Sequence, residues 1–238
     1  CRHPYYEYIG IRHGTDGEHV ISVDKVMDEK IGLVKFDILG VASLVAIDEA
    51  KREDNISDWE IDINNPEFEH DKASFDLICS GRTDNLFQIE SSGMKDLVAQ
   101  LQPRSIEELS ALIALYRPDA MPSIPTYVDC KYHPEHIHYF HPDMEPIFRS
   151  TYGVNIYQEQ SMKLTKVFGG RNDAGADRMR KCLAKKKPEK VKEEVTLLRE
   201  EILNNGYDAR TAEFICDELS TKGGYGLTKV KSLMLVTA

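Results

Sequence analysis

From Ser91 onward, apolar side chains recur at the spacing of an α-helix, between residues that start and stop helices. Met94, Leu97, Val98 and Leu101 fall three or four apart within Ser91–Gln102, and Pro103 ends the run. Side chains at that spacing lie on one face of a helix, which must be buried against something. Ser105-Ile106-Glu107-Glu108 reads as a capping box. It opens a second helix through Leu109, Leu112, Ile113 and Tyr116, stopped at Pro118. Tyr157–Phe168 reads as a third, closed by Gly169-Gly170. Pro188 suits the first turn of a fourth, which runs to Asn204 with Val191, Val195, Leu198 and Ile202 on one stripe. Asn205-Gly206 closes it, and Asp208 caps a fifth carrying Ala212, Ile215 and Leu219. Residues 118–150, rich in Pro and His, read as a long ordered loop.

The front of the chain has a different period. The first forty residues read as β structure, with His19–Asp24 and Gly32–Leu39 extended. Val34, Phe36 and Ile38 alternate with Lys35 and Asp37. A strand period of two puts the apolar side chains on one face and the Lys and Asp together on the other. Val41–Arg52 reads as a helix, and Glu53–Asp76 as an acidic connection between two domains. The class expected is α+β: a short β segment, then a mostly α-helical region.

The net charge is -10, which excludes a protein that coats nucleic acid with its whole surface. The charge is uneven. Asp48–Asp76 holds eleven acidic and three basic residues, while Arg178–Lys192 holds eight basic residues and one acid, Glu189. A block of that density reads as an electrostatic footprint for phosphates, the alternative being a solvated helix face. The five cysteines form no C-x-x-C pair, which suits free thiols in a reducing compartment. No apolar run approaches the roughly 18 residues of a membrane helix, so no membrane partner is expected. The chain opens on Cys1 with no signal peptide, and reads as a piece processed or cut from a longer protein.

Four stretches could carry chemistry. Lys35 and Asp37 share a strand face; alone, such a pair is more often a surface ion pair than a site. In Ala176-Asp177-Arg178-Met179-Arg180-Lys181-Cys182-Leu183-Ala184-Lys185-Lys186-Lys187-Pro188, Arg offers bidentate phosphate contacts and Lys offers point charges. Cys130, His133, His136, His138 and His141 raise zinc, at a spacing that matches no familiar ligand pattern. Gly223-Gly224-Tyr225-Gly226-Leu227-Thr228-Lys229 could line a nucleotide with Tyr225 stacked on a base, or could simply be a turn between helices.

Taken together, these stretches resemble the C-family replicative polymerases, the alpha subunits of bacterial DNA polymerase III. Leu33-Val34-Lys35-Phe36-Asp37-Ile38-Leu39-Gly40 resembles the family strand that bears the third catalytic aspartate. Asn85-Leu86-Phe87-Gln88-Ile89-Glu90-Ser91-Ser92-Gly93-Met94-Lys95-Asp96-Leu97 is similar to the segment that opens the fingers. Leu115-Tyr116-Arg117-Pro118, Tyr152-Gly153-Val154-Asn155-Ile156-Tyr157-Gln158-Glu159-Gln160 and the run ending Lys185-Lys186-Lys187-Pro188-Glu189 match further family stretches in order.

The resemblance implies the end of a palm over residues 1–40 and fingers over 41–238. It implies a part in template-directed nucleotidyl transfer from dNTPs to a primer 3′ end. Asp37 would be one ligand of a two-metal Mg²⁺ site. Lys35, Arg117, Arg180, Lys181, Tyr225 and Lys229 would face the incoming dNTP. Lys185, Lys186 and Lys187 would touch DNA. The implied partners are primer-template DNA, dNTP, the rest of the palm, and, through the whole enzyme, the sliding clamp and other replisome subunits in the cytoplasm.

The sequence also departs from the family. No Asp-x-Asp pair precedes Asp37, so the isolated chain is expected to be inactive. Ser92 stands where the family usually has Arg, Asp119-Ala120 replaces Gly-Pro, and Lys181 replaces a second Arg. Leu227-Thr228-Lys229-Val230-Lys231 replaces Phe-Asn-Lys-Ser-His. These changes leave room for an alternative, a non-catalytic nucleic-acid-binding module on a fingers scaffold.

Overall fold

In the computed structural model the described residues are 4–32, 42–54, 71–84, 86–184, 188–222 and 227–236. The chain divides into two compact units, Cys1–Val41 and Ala42–Ala238. The fold is α+β and mostly helical, with one two-stranded antiparallel sheet among the described residues.

In the first unit β1 (Ile11–His13) pairs with β2 (His19–Ile21), with Ile11 opposite Ile21 and His13 opposite His19. A helix the sequence reading did not foresee, α1 (Lys25–Lys30), follows at once. Asp24 starts it by accepting the Met27 N–H on its carboxylate at 2.8 Å. The first forty residues are therefore not all β. Residues 33–41, with the anticipated strand and both Lys35 and Asp37, lie outside the described residues.

The second unit opens with α2 (Ala42–Asp54) and continues with α3 (Lys72–Cys79). The latter begins inside the stretch read as an acidic connection. Asp71 is its N-cap, accepting from Ala73 and Ser74, and Phe75 is its buried side chain. The acidic composition concealed a capped amphipathic turn.

Two adjoining hydrophobic clusters build the rest of this unit. The first is made by α4 (Ser92–Leu101), α5 (Ile106–Leu115), Tyr127 of α6 (Ile124–Tyr132), the segment Val154–Tyr157, and Leu227. Ser105 caps α5 as the sequence suggested, and Ser91 caps α4. Only half of the expected box forms. Ser105 accepts from the Glu108 N–H at 3.2 Å, but Glu108 reaches back to the Arg104 N–H at 2.6 Å. Lys131 closes the far end of α4. Its ammonium donates to the carbonyls of Leu101 and Gln102 at 2.8 and 2.9 Å and pairs with Glu108 at 2.9 Å. A cation on free helix-end carbonyls is favourable for both the dipole and the orphan acceptors.

The second cluster joins α7 (Glu145–Phe148), α8 (Gln158–Val167), α9 (Asp173–Ala184), α10 (Pro188–Asn204) and α11 (Ala209–Lys222). Asp208 caps α11 by accepting from the Thr211 N–H at 2.8 Å. Residues 118–150 are not the long loop anticipated. They hold α6, α7 and the 3-10 turns Met121–Ser123, Pro134–His136, Pro142–Met144 and Arg149–Thr151. Pro122, Pro125, Pro134, Pro142 and Pro146 each stand in the first turn of such a piece. There a missing N–H costs nothing and the fixed φ favours the helix.

Gln160 joins the two clusters. Its Oε1 accepts from the N–H groups of Ile156 and Tyr157 at 2.9 and 3.0 Å. Its Nε2 donates to the Ile147 carbonyl at 3.2 Å and to Thr151 Oγ1 at 2.6 Å. Gln160 is buried, so an apolar replacement leaves these groups dry and unpaired. Gln160→Leu should lower the unfolding free energy by about 3 kcal/mol. Lys163→Ala, on the exposed side of the same helix, should change it by less than about 0.5 kcal/mol. Urea unfolding followed by circular dichroism measures both, and equal midpoints would contradict the role given to Gln160.

Candidate nucleotide and phosphate site

A cleft of about 410 Å³ opens in the first cluster. Gln88, Glu90, Ser91 and Met94 come from the segment that opens α4, Ile113, Tyr116 and Arg117 from the end of α5, Leu227 from just before the last helix and Lys231 from that helix. Three motifs separated widely in sequence therefore meet around one space.

Each wall is fixed by local chemistry. Gln88 holds φ at 65°, in the left-handed region that non-glycine residues seldom use, and so turns the chain before α4. Tyr116 leaves α5 as its C-cap, with its N–H on the Leu112 carbonyl. Its ring lies against Gly93, where an added Cβ would come within 2.1 Å of the hydroxyl. Leu227 is held by a parallel bridge to Tyr157, and its carbonyl accepts the Gln158 N–H at 3.1 Å. Lys231 rides on α12 (Lys229–Val236). Glu159 caps that helix, taking the Lys229 N–H between both carboxylate oxygens at 3.0 and 2.9 Å. Ser232 anchors it by donating to the Ser110 carbonyl, while Ser110 Oγ lies 3.1 Å from the Tyr157 hydroxyl. Burial pushes that Tyr157 hydroxyl up to about 12, so it stays protonated.

Arg117 and Lys231 are exposed and form no ion pair with any described residue, so both are open to an anion. Tyr116 lines the cleft with them, so the cleft could offer a surface for a base or sugar and two cations for phosphate.

The other anticipated residues lie elsewhere. Lys229 does not line the cleft; its ammonium is held by Glu107 at 2.6 Å. Arg180 and Lys181 do not line it either. Arg180 donates through Nε and Nη2 to Asp177 Oδ1 at 2.9 and 2.7 Å, and Lys181 pairs with Asp177 Oδ2 at 2.8 Å. Together they hold the Asp177 carboxyl below the usual carboxylate range, Lys181 contributing most. Arg178 pairs with Glu194 of α10 at 2.9 Å. Glu194 also receives the buried Arg171 at 3.1 Å, whose Nε reaches Glu201 at 2.6 Å. The acids that the basic block lacks in sequence thus come from one turn earlier and from the neighbouring helix. Lys185, Lys186, Lys187 and Tyr225 lie outside the described residues. Lys231 was not singled out from the sequence, because only the docking of α12 brings it to the cleft.

The His-rich stretch is organised by hydrogen bonds. His136 Nδ1 lies 2.8 Å from Asp129 Oδ2, and His141 Nδ1 accepts the Asp143 N–H at 3.2 Å. Among the described residues no three of His, Cys, Asp and Glu are gathered as a metal ion requires. They do not by themselves fit a Mg²⁺ or zinc centre, and Asp37 falls outside them.

Two measurements test this geometry. Gly93→Ala should destabilise the chain by about 1–3 kcal/mol through overpacking against Tyr116. Adding Tyr116→Phe, which removes the nearest atom, should recover most of that loss; a cycle with no recovery would refute the contact. The Asp129 carboxylate raises the His136 pKa above its ordinary value. The pair therefore adds stability below about pH 6.5, lost as pH rises through the raised value. An NMR titration should show the His136 pKa falling back toward about 6.5 in Asp129→Asn.

Comparison with known proteins bears on what this cleft belongs to. Residues 43–206 match the family model described as the bacterial DNA polymerase III alpha subunit finger domain. Proteins named DNA polymerase III subunit alpha are similar over most of the chain. The one from Rickettsia conorii is 35% identical over 210 residues, covering 88% of this chain and 18% of its own length. That from Caulobacter vibrioides is 37% identical over 205 residues, covering 84% and 18%. That from Escherichia coli K12 is 37% identical over 230 residues, covering 91% and 20%. The chain thus spans a fifth or less of these relatives. It belongs to the finger-domain family of the bacterial DNA polymerase III alpha subunit.

Proposed function

We propose that this chain supplies the fingers of a replicative DNA polymerase, from about residue 41 onward, with the end of the palm over residues 1–40. It would hold an incoming dNTP and DNA phosphates during template-directed transfer to a primer 3′ end. The observation that carries this reading is the cleft in which Arg117 and Lys231 meet beside Tyr116. Nucleotidyl transfer needs positioning and charge stabilisation more than covalent chemistry. Two open cations and an aromatic wall provide those functions.

Arg117 would grip phosphate oxygens through its planar fork, and Lys231 would add a point charge. Arg180, Lys181 and the run Lys185, Lys186, Lys187 would supply further phosphate contacts, and the family resemblance assigns Tyr225 and Lys35 to dNTP binding. Mg²⁺, when bound, activates the attacking hydroxyl and neutralises the leaving phosphate. Its ligands would be Asp37 together with carboxylates outside this chain. DNA, dNTP, the remaining palm and replisome subunits in a bacterial cytoplasm are the partners this reading carries. Among the described residues no helix is long and apolar enough to cross a membrane.

A non-catalytic nucleic-acid-binding module is the second reading. It is favoured by the engagement of Lys229 with Glu107, away from the cleft. One experiment separates the two. The purified chain alone should give no primer extension. Complemented with a palm segment that carries two aspartates, it should extend a primer on Mg²⁺ and dNTPs. Asp37→Asn should abolish this, and Arg117→Ala should raise the KM for dNTP about tenfold or more. Complementation that never yields extension would leave the binding-module reading in its place.

A further inference from the structure

Arg180 and Lys181 are the described members of the basic segment that would face phosphate, yet one carboxylate holds both. Arg180 presents Nε and Nη2, the edge that would clasp a phosphate, to Asp177 Oδ1, and the Lys181 ammonium lies on Oδ2. Both oxygens of Asp177 are therefore used, and both phosphate-seeking heads are occupied. All three residues sit on one face of α9, three and four positions apart, so the arrangement forms whenever the helix does. Arg178, one position after Asp177 and on a different face, has its own carboxylate in Glu194. It does not share in the Asp177 contact.

We infer that Asp177 is an affinity-setting residue: it stands where a phosphate group of DNA or of a triphosphate would bind Arg180 and Lys181, and such a ligand must displace it. This rests on the polymerase reading above and adds a competitor to it. The contacts are partly exposed, so each is weak and can be exchanged. A strongly held pair would shut the site. A weak one keeps the two side chains ordered when no ligand is present and lets a phosphate go after it has bound. That suits a site through which successive phosphates must pass.

The test uses the whole chain with two probes, a fluorescein-labelled dT20 oligonucleotide and inorganic tripolyphosphate. Anisotropy reads the first and competition against it reads the second. Asp177→Asn keeps the shape and removes the charge. Glu200→Gln removes an equal charge from an exposed position on α10 and controls for net charge alone. The expected result is that Asp177→Asn tightens binding of at least one probe by about 2- to 20-fold, with Glu200→Gln near wild type. The slope of log affinity against log salt should steepen by about 0.7 for each cation freed toward single-stranded DNA. Asp177→Glu should stay within about threefold of wild type. The probe that tightens identifies the phosphate source as backbone or triphosphate. Binding by Asp177→Asn no tighter than by Glu200→Gln overturns the inference alone, as does weaker binding, which would make Asp177 an orienting partner of Arg180. No binding of either probe by wild type or by Asp177→Asn overturns both this inference and the polymerase reading.

Discussion

Apolar contact alone specifies the relation of two hydrophobic clusters only through steric fit, because the hydrophobic effect has no direction. The amide of Gln160 supplies the direction. It accepts from the backbone that feeds the first cluster and donates to the backbone and the threonine that border the second. A buried amide with all these partners costs little, and it specifies geometry that leucine and phenylalanine do not. The start of α8 is set by this one side chain, and with it Glu159, the residue that holds the last helix. The wall of the cleft formed by Leu227 and Lys231 follows from there.

The same logic governs the end of α4. Lys131 covers the Leu101 and Gln102 carbonyls and meets Glu108, and Glu108 also accepts from the Tyr152 hydroxyl at 2.6 Å. The Tyr152 hydroxyl is pushed up by burial and by this carboxylate, so it remains a donor at neutral pH. Charge, helix end and phenol complete one another in a part-buried setting. Such a junction fixes the distance between α4, α5 and α6, and through it the angle at which Tyr116 meets Gly93.

Much of this was legible where the signal is local. The caps at Ser105 and Asp208 and the stripe of α10 are written in a few consecutive residues, and the helices stand where those residues put them. The stretch 118–150 misled because its richness in proline was read as the mark of a loop. At Pro125 and Pro146 proline opens a helix, and nothing nearby in sequence distinguishes the two uses. The cleft was legible in part. Arg117 stands out within its motif, but Lys231 reaches the cleft only through contacts at Glu159 and Ser110, far away in sequence. The basic segment was read as under-neutralised because its counter-charges, Asp177 and Glu194, lie one turn earlier and across a helix interface.

The anchoring of Ser232 on the Ser110 carbonyl spans 122 residues. During synthesis the N-terminal walls of the cleft, around Ser91 and Tyr116, emerge long before Leu227 and Lys231 exist. The intervening helices of the second cluster have time to fold on their own local contacts, and the closing segment then meets a prepared surface at modest extra loop entropy. The cleft is accordingly among the last features of this unit to form. A chain caught before that step would already be helical and compact, but would lack the wall that Leu227 and Lys231 complete.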